Sequence, residues 1–177
     1  MGNLYHDLSK INFSKELYIS GNRALNINDF EHLTGDWHTV EAWSQDSKLS
    51  EFHIMGNSAP ALMNTNPFLG EAGIYVANST LKEMGVPEFT SSMVYAASHA
   101  RAIADEVIAE AFLAEPLDGN KLFRFITLFD FDDYMPSPDD KQRVYQLLEH
   151  AIPNLPQQQA LHVQAWLDAA KSKNYEL

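Results

Sequence analysis

The chain contains no cysteine, which removes disulfide frameworks, thiolate zinc sites and thiol nucleophiles. Positive charge is scarce too. Only 12 Lys and Arg stand against 24 Asp and Glu, giving a formal net charge of -12 and a pI near 4.8. A field of that sign repels phosphate backbones, so direct nucleic-acid binding is not expected. No apolar run reaches the ~18–20 residues that cross a bilayer. The first residues, Met1 to Asp7, have neither the basic n-region nor the apolar h-region of a signal peptide. A cytoplasmic protein with no membrane partner is the expectation. Internal repeats, low-complexity tracts and linkers are also missing, so residues 1–177 are read as a single globular domain.

What the chain does have is material for a core. A hydrophobic share of 45% and an aromatic share of 11% lie far from the regime in which burial cannot offset chain entropy. The two halves differ in texture. Up to about Pro87 the sequence is rich in Gly, Asn and Ser with short apolar runs; beyond it, longer helical periods dominate.

Glu16-Leu17-Tyr18-Ile19-Ser20 predicts a short strand stopped by a turn at Gly21-Asn22. Glu51 to Met55 and Gly73 to Ala77 predict two more, and the stretch between them, Asn57 to Pro67, reads as an irregular loop. Asn28-Asp29-Phe30-Glu31 matches a helix start, with Phe30, Leu33, Trp37, Val40 and Trp43 on one face; Gly35 interrupts that stripe, so the segment fits either one helix or a short helix followed by a turn at Thr34-Gly35-Asp36. In the second half, Thr90 caps a long predicted helix whose inward residues run Met93, Ala97, Ala100, Ile103, Ala104, Val107 and Ala111. The segment from Leu122 to Phe131 fits either a helix or a buried strand. Ser137-Pro138-Asp139-Asp140 opens a helix through about Ala151, with Pro at the first position and acids at the positive end of the macrodipole. Pro156 opens the last, with Leu161, Ala165, Trp166 and Ala169 inward. The expected fold class is α+β: a small sheet from the N-terminal half packed against several helices, and a mainly helical C-terminal half.

Several groups of residues could carry chemistry. Asp36, His38 and His53 offer a carboxylate and two imidazoles that could shuttle a proton or ligate a metal, if the fold brings them together. Otherwise Asp36 belongs to a turn and the histidines are structural. Arg23, His99 and Arg101 are candidate ligand-binding residues, able to grip an anion. Against that stands a plainer reading, in which His99 and Arg101 occupy a solvated helix face and Arg101 pairs with Asp105 one turn on. Arg143 and His150, on one side of a predicted helix, faintly resemble the Arg-x(4-6)-His pair of HEPN ribonucleases. Asp130, Asp132, Asp133, Asp139 and Asp140 concentrate negative charge but lack the Gly and terminal Glu of a calcium loop. No P-loop, dinucleotide fingerprint, nucleophile elbow or His-Glu-x-x-His is present, and no cofactor or metal is expected.

Two strings together, Tyr18-Ile19-Ser20-Gly21-Asn22-Arg23-Ala24-Leu25-Asn26 running to Gly35-Asp36-Trp37-His38, and His99-Ala100-Arg101-Ala102-Ile103-Ala104-Asp105, resemble those of small uncharacterised bacterial proteins of toxin–antitoxin or phage-defence gene pairs. The resemblance implies a defence-associated setting and assigns no catalytic residue. Two functions are compatible with these features. The first is an acidic, antitoxin-like interaction module that neutralises or scaffolds a basic protein partner, with homo-oligomerisation left open. The alternative is a small enzyme, a metal-dependent hydrolase or a nucleotide-modifying toxin, using Asp36, His38 and His53 with Arg23 or Arg101 as an anion clamp.

Overall fold

The computed structural model describes residues 11–28, 54–56, 63–85, 93–114 and 128–173. They form an α+β fold. Four short strands, β1 (Leu17–Ile19), β2 (Ile54–Gly56), β3 (Ile74–Val76) and β4 (Tyr95–Ala97), make one sheet in the order β2-β1-β4-β3. The outer pairs are antiparallel, with Tyr18 opposite Met55 and Tyr75 opposite Ala96; the central pair is parallel, with Ile19 opposite Ala96. The helices are α1 (Gly21–Leu25), α2 (Asn66–Leu69), α3 (Asn78–Glu83), α4 (His99–Leu113), α5 (Leu128–Tyr134), α6 (Pro138–Ala151) and α7 (Gln157–Ser172). A 3-10 turn, Ile152–Asn154, joins the last two.

Each parallel strand runs through a serine into a helix, β1 through Ser20 into α1 and β4 through Ser98 into α4. Ser98 is a working cap: its hydroxyl accepts from the Arg101 amide, satisfying one donor that a helix start otherwise leaves orphaned. Ser20 makes no such bond, because its hydroxyl is used elsewhere. The end of α1 is tied to the start of α4 by His99, whose Nε2–H donates to the Ile27 carbonyl at 2.5 Å.

α4 is the axis of the molecule. Every residue from His99 to Ala109 is buried, with α1, α6 and α7 packed around it. Its alanines, Ala100, Ala102, Ala104, Ala109 and Ala111, let neighbouring backbones approach closely. α6 presents Val144, Leu148 and Ala151, spaced at the helical period, toward this axis. Its start is as expected, with Ser137 accepting from the Asp140 amide and Pro138 at the first position. Phe131 of α5 packs edge-on against Trp166 of α7, ring centroids 5.3 Å apart, and Phe68 stacks on Phe112 at 5.7 Å. Aromatic pairs of this kind add to the stabilisation given by their buried area.

Four expectations are corrected. The long helix does not extend back to Met93: Tyr95–Ala97 is a strand, and Met93 is 60% exposed. Ala96 and Ala97 are both buried, so this strand has no alternation to distinguish it from a helix turn. Gly21-Asn22, expected as a turn, begins α1, with Gly21 at φ +55. The expected loop ends in a helix, α2, at Asn66. In α7 the buried set is His162, Val163, Trp166, Leu167, Ala169 and Ala170, and Leu161 faces outward at 54% exposure. Residues 122–127 lie outside the described residues, as does nearly all of the helix expected from Asn28.

Two glycines allow a controlled comparison. Gly70 (φ +58, ψ -150) and Gly73 (φ +76) both have the positive φ that favours glycine, but a Cβ at Gly70 meets nothing within 4 Å, whereas one at Gly73 would lie 2.7 Å from Arg101 Cβ and 2.9 Å from Ser98 Oγ. Gly70→Ala carries only the backbone penalty, ~1–3 kcal/mol. Gly73→Ala adds a clash with the core helix, so its thermal midpoint is expected to fall well below that of Gly70→Ala. Equal midpoints by circular dichroism would contradict that packing.

Candidate functional site

The described polar chemistry concentrates around Arg101 and Asp105. These residues are one turn apart on α4, both fully buried, and joined by Arg101 Nε–H to Asp105 Oδ1 at 2.8 Å. Burying a charge pair is costly unless every remaining donor and lone pair is satisfied, and here they are. Arg101 Nη1 donates to the carbonyls of Gly70 at 2.8 Å and Ala72 at 2.7 Å. Nη2 donates to Asn66 Oδ1 at 2.7 Å, to the Tyr18 hydroxyl at 2.9 Å and to Thr65 Oγ1 at 3.3 Å. Three hydroxyls in turn donate to the carboxylate: Thr65 at 2.5 Å, Ser20 at 2.7 Å and Tyr18 at 2.9 Å. The guanidinium also lies over the Tyr18 ring, 5.5 Å from its centroid. Burial, reinforced by the neighbouring Asp105 charge, holds the Tyr18 phenol far above its ordinary range, so it stays protonated as a donor.

This cluster joins β1, the strand-to-helix corner at Ser20, the segment from Thr65 to Ala72, and α4. The expectation of a solvated helix face is wrong for Arg101. It is wholly interior, and all its N–H groups are committed to the protein. The pairing with Asp105 is as expected; the setting is not. His99 and Arg23 are likewise buried, at 6% and 5% exposure, with His99 holding the Ile27 carbonyl. Asp36, His38 and His53 lie outside the described residues. Sequence reasoning misses Tyr18, Ser20, Thr65 and Asn66 as partners. Only the Arg101–Asp105 spacing signals the cluster, since those four lie 35 to 87 residues away from the groups they bond.

The second concentration is on the surface, where α5 meets α6. Asp133 and Asp139 are exposed, and a shallow depression of about 350 Å³ is lined by Pro136, Ser137, Asp139, Asp140 and Arg143. Asp132 pairs with Lys141, whose ammonium sits 5.6 Å from the Phe131 ring centroid. Arg143 reaches Asp140 at 3.8 Å, and Arg143 and His150 are both exposed. Elsewhere Lys15 pairs with Glu71 at 2.6 Å and Lys171 with Glu149 at 2.5 Å. Thus Lys15, Arg101, Lys141, Arg143 and Lys171 each have a carboxylate partner, and among the exposed groups outside these pairs Glu16, Glu83, Asp133, Asp139 and Asp168 outnumber Lys82 and Lys173.

Comparison of the chain with protein-family profiles, curated proteins and solved structures gives no match. No helix among the described residues is long and apolar enough to cross a membrane, and no group of three or more potential metal ligands occurs among them.

Removing one partner of a satisfied buried pair leaves an uncompensated charge, at a cost of ~3–5 kcal/mol. Arg101→Met is expected to lose about that much in urea denaturation. Combining it with Asp105→Leu should recover part of the loss, because no buried charge then remains. Losses that simply add would show that the two side chains act independently.

A second test uses Glu110, whose carboxyl is raised above its usual range by burial and then by Glu106 one turn away. A raised carboxyl pKa means that the folded state holds the proton more tightly than the unfolded chain. Stability therefore falls as pH rises through the carboxylate range toward the folded pKa, and the penalty persists above it. Glu110→Gln should raise the thermal midpoint at pH 7, and the advantage should vanish near pH 4. A difference independent of pH would rule out this electrostatic origin.

Proposed function

We propose that this chain is an acidic interaction module that docks a basic protein partner, neutralising or scaffolding it in an antitoxin-like or defence-associated role. The observation that carries the reading is the surplus of carboxylates on the described surface after the cations beside them have been paired. Complementary charge of this kind speeds encounter and selects the partner more than it sets final affinity.

The best described place to look is the α5–α6 corner. There Asp133 and Asp139 project into solvent beside the depression at Ser137. Both lie on helical segments braced from inside by Phe131 and Val144, so the charges sit on a fixed frame. A partner presenting Lys or Arg could approach them without disturbing the buried cluster around α4.

The test is co-purification of the untagged chain from its native host, followed by association kinetics with the recovered partner. A basic partner is expected, with an association rate that falls steeply as salt rises. The double reversal Asp133→Lys with Asp139→Lys should slow association at least several-fold while lowering the unfolding midpoint modestly, since Asp139 leaves the positive end of the α6 dipole; Asp133→Lys alone should slow association with the midpoint nearly unchanged. No defined partner, or association insensitive to salt, would end this reading.

A further inference from the structure

We draw no further inference here: the strongest candidate, the shallow depression at the start of α6 lined by Pro136, Ser137, Asp139, Asp140 and Arg143, is an acidic cluster at a helix N-terminus within the surface already proposed for partner docking, and nothing among the described residues points to a separate ligand for it.

Discussion

The buried ion pair between Arg101 and Asp105 is the constraint around which the described structure is organised. A guanidinium removed from water needs all its N–H groups answered, and a carboxylate needs its lone pairs filled. Those demands are met from four directions: a strand, a strand-to-helix corner, the polar segment at Thr65 and Asn66, and a glycine-containing turn. Each of these hydrogen bonds also fixes where the contributing segment must sit. An apolar replacement of similar volume could be as stable, but it would impose no such requirement on where Gly70 and Ala72 point their carbonyls.

Much of the architecture is legible in the residues. Proline at the first position of α6, preceded by a serine cap, marks its start, and the 3.6-residue period of Val144, Leu148 and Ala151 marks its buried face. The strand at Leu17–Ile19 is equally plain. Other features are hidden for identifiable reasons. In β4 the adjacent Ala96 and Ala97 are both buried, so the strand carries no alternating pattern. α4 is surrounded on all sides, so its Arg, Asp and Glu mimic a wet face although they are interior. Hydropathy alone turns Leu161 inward, whereas the stripe that packs in α7 runs through His162, Val163 and Trp166.

The candidate site is less legible than the fold. Helical spacing ties Arg101 to Asp105, but no local rule links either to Tyr18, Ser20 or Thr65, because those contacts are made by the tertiary arrangement alone. Charge surplus, by contrast, is visible in composition, and the ion pairs refine it by showing which carboxylates remain exposed. The two settings therefore use the same residue types differently: at Arg101 and Asp105 opposite charges cancel and fix geometry, while on the described surface acids such as Asp133 and Asp139 outnumber the cations and reach into solvent.

The central strands of the sheet are parallel neighbours, yet β1 begins at Leu17 and β4 ends at Ala97. Nearly half of the chain lies between them in sequence, so this parallel pairing joins two pairs of shorter separation, β1 with β2 and β4 with β3, and Tyr18 meets Asp105 across 87 positions. Contacts so distant along the chain yield their stabilisation only after a large loss of chain entropy. A ribosome would release more than half of this sequence before the central ladder could close, and the Tyr18 and Ser20 hydroxyls would wait longer still, until Asp105 emerges with α4.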